Sequence, residues 1–287
     1  MALPTFFIIG AAKAGTTSLH FYLDQHPEIG MSTIKEPHFF AGPENGIPFP
    51  PERIGDLAEY EAIFDPAFGV RGEASPSYTN APRRRGVPER IKQLVPDAKL
   101  IYLVRDPIER TLSHYQHSIA SGEERRPLQQ ALQQLDEPSC YLACHSLFSR
   151  QLELYLEHFP ATNVMVVDQA QLLDERAAVL RRVFSFLDVD ASFSSERFED
   201  ELWRTGDRRI SPPGHHKFIA GVVSPRAAWL PRFARRSLRR AYERTFWRPL
   251  EKVALDPGQR ARLQEFYGPD VERLRTLTGQ AFASWSV

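Results

Sequence analysis

The sequence predicts an α/β fold, a P-loop-like central parallel sheet flanked by helices. One domain is expected over residues 1–287, with a helical C-terminal part from about residue 205. Three observations predict this. Strand-like apolar runs alternate with amphipathic runs of helix length, the pattern of parallel strands joined by right-handed crossovers. FFIIG (Phe6–Gly10) is continuously apolar, and KLIYLV (Lys99–Val104) nearly so, as expected where both faces of a sheet are covered. The first of these runs passes directly into a glycine-bounded turn and a helix start.

Taken in order, Phe6–Gly10 is the first strand. Residues 16–25 form a helix, with Leu19, Tyr22 and Leu23 on one side and Pro27 just beyond its end. Residues 36–50 are aromatic and rich in Pro and Gly, hence a loop. A short strand over 69–74 and a short helix over 90–94, ended by Pro96, precede the second long strand. Pro107 opens the next helix at a position where a missing N–H costs nothing, and the helix runs to about Ala120. A helix over 140–159 places Leu147, Leu152, Tyr155 and Leu156 at helical spacing. A third strand over 164–167 and a helix over 172–187 follow, then a Pro/Gly loop over 207–216. The arginine-rich stretch over 226–248 reads as helical. A last helix over 259–278 has Leu263, Phe266, Val271 and Leu274 as its apolar side.

At 42% hydrophobic residues the chain can fill a sizeable core. Its 36 basic residues equal its 36 acidic ones, so net charge predicts no nucleic-acid or other polyanion partner. Charge is uneven locally. Arg226, Arg232, Arg235, Arg236, Arg239, Arg240, Arg244 and Arg248 form one basic stretch, readable as a solvated face, a cover for bound phosphates, or a peripheral surface for an anionic acceptor or a membrane. Cys140, Cys144 and His145 make an incomplete zinc set, so the cysteines are expected to be structural and no metal is expected. The apolar N-terminus has no basic residue ahead of it, and no run approaches the roughly twenty apolar residues of a membrane helix. The expectation is a soluble, cytoplasmic protein with no transmembrane segment.

Two motifs carry chemistry. In GAAKAGTTS (residues 10–18), Gly10 and Gly15 have P-loop spacing, but Thr16 stands where a nucleotide triphosphatase carries lysine. Lys13 lies inside the loop instead. The turn offers backbone N–H groups and a helix dipole to a phosphate, while Thr16, Thr17 and Ser18 add hydroxyls and Lys13 reaches over from another direction. In the second motif, Arg105 sits at the carboxyl end of the KLIYLV strand, where ligands bind in open parallel sheets. Ser113 lies two helical turns further on, so the two can grip a second phosphate. A salt bridge at Arg105 is the plainer alternative, and Asp106 as a magnesium-holding acid is another.

Two phosphate grips on successive strand–helix units suit a nucleotide with separate 5′ and 3′ phosphates. IIGAAKAGTTSL resembles the 5′-phosphosulfate loop of PAPS-dependent sulfotransferases (PAPS is 3′-phosphoadenosine 5′-phosphosulfate), and LIYLVRDPIERTLSHY resembles their 3′-phosphate motif. The likeness is to the heparan sulfate sulfotransferase-like branch and its bacterial relatives. KEPHFF (35–40), GEASPSY (72–78), QLELYLEHFP and LDPGQRARLQEFYGPDVERLRTLTG extend it over nearly the whole chain.

The resemblance implies the sulfotransferase fold, PAPS as sulfuryl donor, PAP as product, and no metal. It implies an acceptor hydroxyl on a glycan or another small-molecule or lipid alcohol, attacking sulfur in line. Lys13, Ala14, Gly15, Thr16, Thr17 and Ser18 would hold the 5′ phosphosulfate, and Arg105 and Ser113 the 3′ phosphate. Glu36 matches the general base, and Lys13 would stabilise charge on the bridging oxygen. Lys35, His38, Ala74 and Ser75 fall on the acceptor side.

The chain departs from the branch at Ala74, where some heparan-acting members carry lysine; Lys35 is a substitute. Phe148 stands near their helix tyrosine, and Arg208, Arg209 and Lys217 are candidates for a loop closing over the nucleotide. His38 and His114 are alternative bases. Two other classes stay open, a P-loop kinase needing magnesium and a nucleotide-binding protein without sulfotransferase activity. Acceptor identity depends on loops such as 43–51 and 120–127 and is not readable.

Overall fold

The computed structural model describes residues 2–42, 53–200 and 253–287, with the backbone of Arg209–Ile210 and Arg248–Pro249. The expectations for loop 43–51, Arg208, Lys217, the side chain of Arg209 and the arginine-rich stretch lie outside the described residues.

Five strands make one parallel sheet: β1 (Phe6–Gly10), β2 (Ile29–Met31), β3 (Val70–Ala74), β4 (Lys99–Val104) and β5 (Val164–Asp168), in the order β2-β3-β1-β4-β5. β1 is central, with Phe7 registered between Glu73 of β3 and Leu100 of β4. All of β1, and β4 beyond Lys99, are buried, which is why these strands lack alternation. The chain crosses from one side of β1 to the other between β3 and β4. That reversal places the carboxyl ends of β1 and β4 at a switch point, where open α/β sheets bind ligands.

The helices are α1 (Thr16–Leu23), α2 (Leu57–Glu61), α3 (Val87–Leu94), α4 (Pro107–Ser121), α5 (Leu128–Leu132), α6 (Tyr141–Cys144), α7 (Phe148–Leu156), α8 (Gln169–Asp174), α9 (Arg176–Leu187) and α10 (Pro257–Thr278). Two of the expected helices are divided. The 140–159 helix breaks between α6 and α7, where Leu147 leaves helical geometry at φ −85, ψ 74. The break lets fully buried Ser146 meet α4, its Oγ bonding Thr111 Oγ1 at 3.0 Å and Pro107 O at 3.2 Å. The 172–187 helix becomes α8 and α9, which meet at Glu175 (φ −125, ψ 39). Asp168 starts α8 early by accepting the Ala170 N–H at 3.1 Å.

Asp256 and Gln259 close a capping box at the start of α10, which buries Leu263, Tyr267, Val271 and Leu274. Tyr267, not Phe266, takes the buried position, because its hydroxyl has a partner in Thr111 Oγ1 at 2.8 Å. Beyond α10 the chain returns to the sheet. Trp285 donates to Asp168 Oδ1 at 3.2 Å, and the Ser286 N–H to Asp106 Oδ2 at 2.5 Å. Arg209–Ile210, expected within a loop, pairs antiparallel with Arg248–Pro249. Among the described residues, no helix is long and apolar enough to cross a membrane.

Candidate active site

The strand ends open into a cleft of about 1020 Å³. Lys13, Gly15, Thr16, Thr17, Ser18, Glu36, His38, Arg105 and Ser113 line it, so the two motifs and the candidate base meet in one space.

The first wall is the turn after β1. Gly10 allows the close approach of Thr79, whose Oγ1 would lie 1.9 Å from an added Cβ. Gly15 enters α1 at φ 97, where glycine carries no steric cost. No side chain caps α1, so its first N–H groups and its positive dipole end are open to an anion. The loop is held from behind. The Ala11 N–H donates to Leu103 O at 2.7 Å, and Arg105 Nη1 and Arg110 Nη1 donate to Lys13 O (3.4 Å) and Ala12 O (3.3 Å). Lys13 itself is left-handed at φ 71, a costly conformation for a non-glycine residue. Ala14, expected among the residues holding the 5′ phosphosulfate, is fully buried and does not line the cleft.

The second wall is the start of α4. Arg105 is 22% exposed, with Glu109 Oε2 3.6 Å from its Nη2. Burial lowers the Arg105 pKa, and Glu109 and Asp106 oppose that shift. Ser113 is buried on the same wall. Asp106 is not presented as a metal ligand. Its Oδ1 caps α4 by accepting the Ile108 and Glu109 N–H groups at 2.9 and 3.1 Å, and its Oδ2 holds Ser286.

Sequence reasoning missed Arg110, the largest fully buried side chain among the described residues. It bonds Ser146 Oγ, Ala12 O, Leu142 O at 2.5 Å and His114 Nδ1 at 3.1 Å. Desolvation lowers its pKa to about 10. A guanidinium only donates, so His114 Nδ1 accepts and the ring proton sits on Nε2. Burial, reinforced by Arg110, holds the His114 pKa well below the usual histidine value. His114 therefore lines the cleft with Nδ1 engaged by Arg110 and an N–H on Nε2. Its neighbour His145, whose ring centroid lies 5.4 Å away, is likewise depressed by burial.

The third wall is the turn after β2. Glu36 (φ 62) and His38 (φ 52) are both left-handed, so the turn is strained at the candidate base. The Glu36 side chain is 39% exposed and paired with Lys35 Nζ. Lys35 meets the site through that pairing and does not line the cleft. His38 Nδ1 lies 2.7 Å from Ser77 Oγ, while its Nε2 is 3.7 Å from Glu36 Oε2, too long for a hydrogen bond. Burial, the largest influence, lowers the His38 pKa.

Ala74 and Ser75, expected on the acceptor side, are instead fully buried and form no part of the cleft wall. Ser75 points inward, donating to Glu73 Oε2 at 2.6 Å and accepting the His38 N–H at 3.2 Å. Glu73 is a second site feature missed by sequence reasoning. It is fully buried, and burial raises its pKa to about 7 against the opposing pull of its hydroxyl partners. Its signal was a carboxylate at the end of a strand otherwise flanked by small and aromatic residues, GEASPSY.

The sulfotransferase domain family model matches residues 3–206. The heparan sulfate glucosamine 3-O-sulfotransferase 3B1 of Mus musculus is 29% identical over 203 residues, 68% of this chain and 49% of that protein. The bifunctional heparan sulfate N-deacetylase/N-sulfotransferase 2 of Homo sapiens is 29% identical over 232 residues, 71% of this chain and 25% of that protein. The chain thus spans about half or less of the length of these curated relatives. Among solved structures, a sulfotransferase from Alicyclobacillus acidocaldarius superposes with a TM-score of 0.72 at 26% identity, over 100% of both chains.

Proposed function

The chain belongs to the sulfotransferase family, and on that premise we propose that it moves the sulfuryl group of PAPS to an acceptor hydroxyl, with Glu36 as general base. The observation that carries this reading is the meeting of three unlike walls on one cleft. These are an uncapped helix start beside Lys13, the Arg105–Ser113 pair, and a carboxylate on a strained turn.

Bound PAPS supplies an electrophilic sulfur and a phosphate leaving group. The N–H groups opening α1 and the hydroxyls of Thr16, Thr17 and Ser18 bind the 5′ end. Arg105 and Ser113 bind the 3′ phosphate and fix the register of the nucleotide. Lys13 offsets the negative charge that grows on the departing phosphate oxygen. Glu36 takes the proton of the attacking hydroxyl. His114, fixed as an Nε2–H donor, orients oxygen on the acceptor. The mechanism needs no metal. The named relatives act on heparan sulfate, and a carbohydrate hydroxyl is the acceptor class we favour.

Calorimetry with PAP, ATP and ADP, without and with magnesium, tests this reading. Magnesium-independent PAP binding that is lost in Arg105→Ala, with ATP weak, is the expected result. Magnesium-dependent ATP binding, with PAP no better than ADP, would overturn it in favour of a kinase. The engagement of both Asp106 oxygens counts against that outcome.

A further inference from the structure

The turn that presents Glu36 is held by a relay that ends on one buried carboxylate. Backbone N–H groups can only donate, so Ser75 Oγ and Tyr78 Oη must act as acceptors toward the N–H groups of His38 (3.2 Å) and Phe40 (3.2 Å). Each hydroxyl then has one hydrogen to place. Both go to Glu73, from Ser75 to Oε2 at 2.6 Å and from Tyr78 to Oε1 at 2.8 Å. Tyr60 adds a third donor to Oε1 at 2.7 Å but caps no N–H of the turn in this relay. These are short hydrogen bonds to a fully buried group, the kind in which an ionised acceptor is strong.

We propose that Glu73 is a positioning residue for the reaction. By accepting from Ser75 and Tyr78 it orients both hydroxyls to cap the 38–40 turn, and so holds Glu36 in its left-handed, cleft-facing conformation. The functional half of this inference rests on Glu36 being the base; the structural half does not.

Amide hydrogen exchange tests it directly. Glu73→Gln keeps the size of the side chain but replaces an acceptor with an amide donor, so at least one hydroxyl must reorient. Exchange at His38, Phe40 or both should quicken about tenfold or more. Ser75→Ala should quicken His38 and Tyr78→Phe should quicken Phe40. Tyr60→Phe, which removes a bond to the same carboxylate, should quicken neither. Unchanged exchange at both amides in Glu73→Gln would overturn the proposal, as would equal loss of protection in Tyr60→Phe.

Turnover is read separately with labelled PAPS and p-nitrophenyl β-glucoside as the hydroxyl acceptor. kcat should fall about 10–100-fold in Glu73→Gln, the scale of a base displaced by an ångström, while PAP affinity stays unchanged. Parallel loss of PAP binding would mark Glu73 as merely structural. A wild-type chain inactive on this acceptor but protected at His38 and Phe40 would count against a simple glucoside as the acceptor and leave the positioning proposal standing.

Discussion

Arg110→Lys asks whether the phosphate loop is held by a fork or by a charge. The guanidinium serves four acceptors in separate directions: Ser146 Oγ, His114 Nδ1, Ala12 O and Leu142 O. A lysine ammonium keeps the charge but projects from one point on a flexible stem. It can reach two of these groups, leaving two buried acceptors unsatisfied. At about 1–3 kcal/mol each, the loss is about 2–6 kcal/mol. At about 2 °C per kcal/mol for a chain of this size, Tm falls by about 4–12 °C. Ala12 O is the acceptor within the phosphate loop, so PAP affinity should weaken about tenfold beyond any effect of unfolding. Differential scanning calorimetry gives the first quantity, and titration calorimetry well below Tm gives the second. A Tm within 2 °C of wild type, or a large Tm loss with PAP affinity intact, would refute the claim that this buried cation fastens the loop.

Glu36→Gln should lower kcat by about 10²–10⁴-fold with PAP affinity unchanged, as measured by turnover and calorimetry on the same preparation. Glu73 should leave a mark on stability. Its folded pKa, about 7, lies above the ordinary value of 4.5, so between those values the folded state retains a proton that the unfolded chain releases. Stability therefore falls as pH rises through that window, by about 3 kcal/mol from this group. Its surroundings are the Tyr60, Ser75 and Tyr78 hydroxyls and, at longer range, the Glu36 carboxylate. Chemical denaturation from pH 4.5 to 8 should show wild type losing about 3 kcal/mol relative to Glu73→Gln, the depressed histidines His114 and His145 contributing alike to both. The same proton uptake should give kcat an acid limb near pH 7 that Glu73→Gln lacks.

The sheet was legible where burial left a periodic trace. β1 and β4 are long, apolar and covered on both faces, and their limits fall where composition changes. β2 is only Ile29–Met31, too short for any period, and its place at the sheet edge is set by pairing with β3. The breaks at Leu147 and Glu175 were illegible for a different reason. Apolar spacing continues across them, and what ends each helix is a distant demand, such as that of α4 for Ser146. The first two walls of the cleft were readable because glycines, hydroxyls and a strand-end arginine sit together in sequence. Arg110 lay inside the strand-end arginine motif and Glu73 inside GEASPSY, but both act behind the cleft, through partners as remote as Leu142 and Tyr60. Ala74 and Ser75 show the converse. A motif position was mistaken for a surface position, because the alternation at the end of β3 gives no sign of which side the next layer covers.

Two helix starts face the cleft, and they have been treated in opposite ways. α1 begins with no side-chain cap, while α4 begins with Asp106 bound across its first N–H groups. On the proposed reading, one anion grip combines main-chain N–H groups with the side chains of Lys13, Thr16, Thr17 and Ser18, and the other rests on side chains alone. Side-chain substitution leaves the main-chain share of the first in place, unless proline removes an N–H or a glycine is replaced. The second is a matter of one guanidinium and one hydroxyl, both replaceable by single codon changes. If that reading holds, descendants of this scaffold would keep the main-chain share of their attraction for a 5′ phosphate, while their preference among nucleotides stays open to revision.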